Sequence, residues 1–136
     1  MSFLEVRNAV HTHFTTAWNK TTPLFYDNQA VDPSKLTEFA RISIRHAESQ
    51  QASMAGQPTT RTVGVVIVQL FVKPGIGTKR LDELTDKAIN AFQYVALRGD
   101  DWSIQFRAGY PADLGQPNGQ QFVQVNVITD YFIDRR

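Results

Sequence analysis

The segment from Thr62 to Val72, TVGVVIVQLFV, constrains this chain most. It is rich in β-branched residues and apolar on both of its alternating faces, which is strand chemistry. Such a strand belongs at the centre of a sheet or under cover on both sides. The chain must therefore supply that cover itself or find it in a neighbour.

The flanking segments predict what the cover is made of. Ser2 to about Trp18 reads as an amphipathic helix, with Ser2 and Glu5 spaced as a capping box. Phe3, Val6, Val10, Phe14, Ala17 and Trp18 form its apolar stripe. A second helix is predicted from Lys79 to about Leu97, with Thr78 as its N-cap and Gly99 as its terminator. Its buried stripe is Leu81, Leu84, Ala88, Ala91, Phe92 and Val95.

Three further segments have strand character, and Leu24 to Tyr26 is a short additional candidate. From Glu38 to His46, Ala40, Ile42 and Ile44 share one face and Arg41, Ser43 and Arg45 the other. Trp102 to Tyr110 alternates in the same way. In Phe122 to Ile133, Val123, Val125, Val127 and Tyr131 oppose Phe122, Ile128 and Phe132. Pro111 to Gln120 reads as a loop.

The fold class expected is α+β in a single domain, 1–136. It combines a mixed, mainly antiparallel sheet of about four main strands with two helices packed on one face. The strand–helix–strand unit from Thr62 to Tyr110 has the pattern of a parallel crossover. Between the second and third strand segments lies a polar stretch, Ala47 to Arg61 (AESQQASMAGQPTTR). Structureless loops of that length are uncommon inside a compact domain unless they are functional or disordered. It is read as a long, flexible hairpin arm that orders on contact with another protein.

Composition narrows the function classes. An apolar fraction of 42% fits a folded chain, and 136 residues are enough for one core. Fourteen basic against thirteen acidic residues give a net charge of +1, with no long-range pull toward nucleic acid or anionic membrane. Cysteine is absent, which excludes disulfides and cysteine-ligated metal. No apolar run has membrane-spanning length, and the first ten residues lack signal-peptide character, so a cytoplasmic site of synthesis and assembly is expected.

No catalytic constellation emerges. His11 and His13 are two apart on a helix and point apart, and His46 stands alone at a strand end. Asp82-Glu83 and Asp100-Asp101 fit helix-dipole and turn roles better than acid–base work. The turn Pro74-Gly75-Ile76-Gly77-Thr78-Lys79 lies between strand and helix, where phosphate groups bind, yet it lacks the spacing of a P-loop. A phosphate or small-ligand site at Gly75–Lys79 is the alternative from outside structural biology's assembly class. Neither a cofactor nor a metal is implied.

Arg41, Arg45 and Arg61 suggest a basic edge, either solvated or in contact with a partner, and Gln50 and Met54 are candidate contact residues within the arm. The sheet supplies the stronger argument. With both helices on one face, the second apolar face needs a neighbour. Each large side chain buried there contributes about 1.5–3 kcal/mol. One repeated head-to-tail contact would close into a ring.

The chain resembles the small tail terminator-like proteins of long-tailed bacteriophages. The resemblance covers nearly all of it: the N-terminal helix ending at Ala17-Trp18, Pro23-Leu24-Phe25-Tyr26-Asp27-Asn28, and Phe39 to Ile44. It continues through the arm with Gly56, Arg61 to Phe71, Pro74-Gly75-Ile76-Gly77-Thr78 and a C-terminal strand pair. It implies a virion protein, not an enzyme, at the head-proximal end of the tail. There a homo-oligomeric ring, expected as a hexamer, caps the tube, ends its polymerisation and presents a surface to the head. The implied partners are further copies, the tail tube protein and a head-completion or neck protein. DNA would pass through without sequence-specific binding, and no membrane is involved. Another head–tail connector or neck protein is the alternative within the same biology.

Overall fold

The computed structural model describes residues 3–26, 29, 36–51, 60–75, 78–115 and 122–135. Its elements in chain order are α1 (Phe3–Trp18), β1 (Leu24–Tyr26), β2 (Glu38–Gln51), β3 (Thr60–Val72), α2 (Thr78–Phe92), β4 (Ala96–Arg98), β5 (Trp102–Gly115) and β6 (Val123–Arg135). Six strands form one sheet in the order β1-β2-β3-β6-β5-β4. The four long strands are the expected ones, with β1 and β4 as short additions at the two edges.

Both helices lie on the same face of this sheet, as the sequence suggested. Val6, Val10, Phe14 and Trp18 of α1 and Leu81, Leu84, Ala88, Ala91 and Phe92 of α2 share one core with Ile42, Val66, Val68, Leu70, Val127 and Ile133. The helices also grip each other. Phe14 stacks on Phe92 at 5.3 Å, and the His13 ring nitrogen Nε2 lies 2.6 Å from the Ala91 carbonyl oxygen. α1 stops where Asn19 and Lys20 both adopt positive φ, and the Thr21 hydroxyl donates to the Trp18 carbonyl. Phe3, placed in the buried stripe by periodicity, is 38% exposed in the first turn, its ring packed against His46 at 4.6 Å and the Arg135 guanidinium at 4.8 Å.

The unit from β3 through α2 to β5 is a split crossover: β3 and β5 run in the same direction, and β6 lies between them, antiparallel to both. The directly paired parallel strands are β1 and β2, joining Leu24 to Ala40 and Tyr26 to Ile42. α2 also ends earlier than expected. Tyr94 takes φ 59°, which turns the chain out of the helix, and Ala96–Arg98 pairs antiparallel with Ser103–Gln105. Gly99 thus serves the β4–β5 hairpin, where its amide donates to the Trp102 carbonyl. The indole leaves no room there: a Cβ on Gly99 would lie 2.1 Å from Trp102 Nε1.

The strands also reach further into polar sequence than alternation indicated. β2 and β3 remain paired from Ser49↔Thr62 to Gln51↔Thr60, past an irregularity between His46 and Ser49. The arm predicted from Ala47 is therefore strand at both ends, and 52–59 lies outside the described residues. β5 likewise continues through Pro111 to Gly115, with bulges at Phe106/Gly109 and Asp113/Gly115. The capping-box serine, Ser2, lies outside the described residues.

Candidate functional site

Among the described residues, the sheet face turned away from the helices is closed at one end only. Where β2 begins and β3 ends, Phe39, Phe71 and Phe122 form a second buried cluster, with Phe25 and Leu36 packed against it. Phe39 stacks on Phe71 at 4.4 Å and meets Phe122 edge-on at 5.2 Å. This end is roofed by the chain's own rings, which narrows the expectation of a wholly bare face.

Toward the other end the roof is missing among the described residues. Val65, Ile67 and Ile128 are half-buried, and Val63 is 37% exposed. Phe132 is bracketed by two guanidinium groups, Arg61 at 4.5 Å and Arg107 at 5.5 Å from its ring centre. The result is a half-covered strip along β3 and β6, apolar at Val63, Val65, Ile67 and Ile128 and interrupted on β6 by exposed Asp130 beside Val65.

The predicted arginines do not form one basic edge. Arg61 makes a two-pronged ion pair with Asp134, at 2.7 and 2.9 Å, one strand away on β6. Arg41 is half-buried beside β1, and its Nη2 donates to the Gln29 carbonyl at 3.4 Å. Arg45 is exposed and turns its Nη1 to the Ile44 carbonyl at 3.3 Å. Gln50 pairs with Arg61 through the β2–β3 ladder. Met54 lies outside the described residues. Arg41, Arg45 and Arg61 are thus on the same face, but each is tied to a different local partner.

The histidines have structural neighbours. His11 packs on Tyr26 at 4.5 Å, and His46 Nδ1 lies 2.6 Å from the Tyr131 hydroxyl. Burial, then Arg7 and Arg135, lowers the His46 pKa from 6.5. Burial raises the Tyr131 phenol. Among the described residues no group of His, Cys, Asp and Glu is placed to hold a metal ion, and no helix is long and apolar enough to cross a membrane. The candidate phosphate turn borders a small depression lined by Val72, Pro74, Leu81 and Val123, with Lys73 as a charged neighbour. That lining is apolar. Ile76 and Gly77 lie outside the described residues.

The sequence reading missed the exposed apolar residues of the β5 edge and of the first turn of α1. Tyr94 is 74% exposed, Leu4 65%, Tyr110 49% and Leu114 47%. Tyr94 carried no signal because helical periodicity ran through it. Alternation puts Tyr110 on the apolar side of its strand, which the bulge at Phe106/Gly109 shifts, and Leu114 sits where Pro111 suggested a loop.

A family model described as phage tail terminator protein matches residues 5–129 of this chain. The chain belongs to the phage tail terminator family. It is accordingly a phage tail component, and its general partners are those of the tail tube. Among solved structures, one 18% identical chain superposes with a TM-score of 0.67, covering 100% of this terminator-family chain and 96% of its own length. At that identity the likeness concerns the fold alone. A search of the curated proteins gives no match.

Proposed function

We propose that this terminator-family protein caps the tail tube as a homo-oligomeric ring, six copies being the expected number. The ring ends tube polymerisation and presents a surface to a head-completion or neck protein at the head-proximal end of the tail. DNA passes through it without sequence-specific contact, and the protein catalyses no reaction. One observation carries the reading beyond family membership. A sheet covered by helices on one face keeps the half-open strip of Val63, Val65, Ile67 and Ile128 on the other. A monomer gains nothing from such a strip, whereas an assembling subunit gains buried area on contact.

The polar arm between β2 and β3 contributes a second contact, to an adjacent copy or to the last ring of the tube. Tails made without the protein test the proposal. Overlong tails lacking heads are expected in the electron microscope, and normal-length tails without the protein would overturn it. Full heads without tails would instead indicate a neck or connector role. Replacing 52–59 by a two-residue turn is expected to leave a folded chain that finishes tails poorly. Unchanged tail completion would remove the arm from the mechanism.

A further inference from the structure

The first turn of α1 and the body of the helix are fastened differently. From Val6 onward the inward side chains Val6, Val10, Phe14 and Trp18 are 0–1% exposed. In the first turn Leu4 and Glu5 are exposed, and Phe3 is the apolar anchor. Its ring sits between His46 of β2 at 4.6 Å and the Arg135 guanidinium of β6 at 4.8 Å. A helix end is also where local opening costs least, because its first four amides have no acceptor within the helix.

His46 is an ionisable group placed against that anchor. Its Nδ1 lies 2.6 Å from the Tyr131 hydroxyl, which lies 3.3 Å from the Arg45 carbonyl, and its Nε2 is buried without a hydrogen-bond partner. The charges that act on the ring are both positive, Arg7 from α1 and Arg135 from β6. Among the described residues, the other elements beside it bring no compensating anion. β3 places Gly64 opposite His46, the Arg45 side chain on β2 is exposed, and Asp134, next to Arg135, is held by Arg61. Glu5 is exposed in the first turn and is not among the charges acting on the ring.

We propose that His46 is a proton-operated latch on the start of α1: the neutral ring keeps Phe3 seated on the sheet, and the protonated ring releases residues 3–5 while the helix from Val6 onward stays docked. In the seated state a protonated ring would carry a buried Nε2–H without an acceptor, between two guanidinium groups. A cation attracts an aromatic face, yet the Phe3 ring already faces Arg135, so the second cation is stacked on a ring that serves the first. Moving the turn aside lets water reach Nε2 and gives up chiefly the contacts of Phe3. The hinge falls between Glu5 and Val6, where exposed positions give way to buried ones. The sign follows from the burial and the two arginines, which keep His46 neutral to below its ordinary 6.5. The latch is therefore closed above that pH and opens as the medium becomes acidic. It lies within one copy and does not depend on assembly.

Hydrogen exchange followed residue by residue tests the latch. The amides of Arg7, Asn8 and Ala9 donate to the carbonyls of residues 3–5 in an α-helix, so release of the turn unprotects them. In the wild type their protection factors are expected to fall about tenfold or more between pH 7.5 and pH 5, while those of Phe14 and Val68 hold. In His46→Phe all of them are expected to hold. Unchanged or rising protection at Arg7–Ala9 would overturn the latch, as would the same loss in His46→Phe or an equal loss at Phe14 and Val68. Linkage supplies a second readout that leaves His46 in place. If protonation unseats Phe3, removing Phe3 must favour protonation. The midpoint of the His46 ring titration, read by NMR, is expected to move up toward 6.5 in Phe3→Ala. A midpoint that stays put or moves down would overturn the latch, because it would mean that Phe3 and the proton do not compete.

Discussion

The two faces of β3 make the most informative comparison in this molecule. Toward the helices, Val66, Val68 and Leu70 are 0–1% exposed. Toward the other side, Val65 and Ile67 are half-buried and Val63 is 37% exposed, although the side chains are of the same kind. The difference therefore lies in cover, not in sequence chemistry. One face is a finished core. Among the described residues, the opposite face is finished only where Phe39, Phe71 and Phe122 close over it.

The largest effect should come from breaking the finished face. Phe92 is fully buried between Phe14 at 5.3 Å and Phe106 at 4.8 Å, and it joins both helices to the sheet. Phe92→Ala is expected to cost about 3–5 kcal/mol in denaturant unfolding, a large share of the stability of a domain this size. A loss under ~1 kcal/mol would mean that the helices are not the main seal.

Gly64→Ala should come next. A Cβ there would lie 2.3 Å from the Arg45 carbonyl oxygen and 2.5 Å from the Tyr131 hydroxyl. The carbonyl belongs to the neighbouring strand and cannot swing away. Overpacking of about 3 kcal/mol is expected, read as a lower midpoint at unchanged denaturant slope. Phe71→Ala tests the partial roof on the other face. At 8% exposure and with rings mainly on one side, it is expected to cost about 2–3 kcal/mol, less than Phe92→Ala. Equal losses would make the two faces equivalent and remove the contrast.

The finished face was legible because its elements repeat. Val6, Val10, Phe14 and Trp18 recur at helical steps, Ala40, Ile42 and Ile44 at strand steps, and all are buried. What escaped the sequence depends on backbone pairing or on contacts distant in the chain. Ser49–Gln51 and Pro111–Gly115 are strand because ladder hydrogen bonds need no apolar side chain. The end of α2 depends on the left-handed turn at Tyr94, a residue with no turn signature, while Val95 kept the helical stripe going. The insertion of β6 between β3 and β5 is a choice among strand orders that local pattern does not encode. The partner of Arg61 was hidden for the same reason, since Asp134 lies 73 residues away.

The half-open strip separates folding from assembly. Ile67→Ser removes apolar area at a half-buried position with no roof among the described residues. It is expected to change monomer stability by under ~1 kcal/mol while lowering the fraction of completed tails. Thermal melts and tail-length counts on the same preparation check both halves. A large stability loss would show that the strip already has a cover within one copy.

The smallest effect is expected where the finished face is sealed by a polar network. His46 Nδ1 lies 2.6 Å from the Tyr131 hydroxyl, which in turn lies 3.3 Å from the Arg45 carbonyl. His46 Nε2 is buried without a hydrogen-bond partner. One hydrogen arrangement satisfies every donor: Nδ1–H donates to the phenol, the phenol donates to the carbonyl, and Nε2 carries no proton. Burial disfavours the charged imidazolium, and Arg7 and then Arg135 repel it, which is why the folded pKa falls below 6.5. Folded His46 therefore binds fewer protons than the unfolded chain once the pH drops under about 6.5. Stability from this group is complete above that pH and declines as pH falls toward the folded pKa. Melting temperatures of the wild type and His46→Phe between pH 8 and 5 isolate the effect, because the acids they share cancel in the difference. The wild-type curve is expected to drop more steeply below pH 6.5. A difference that stays constant across the range would mean that the proton is accommodated, and that this corner of the covered face is wetter than its burial indicates.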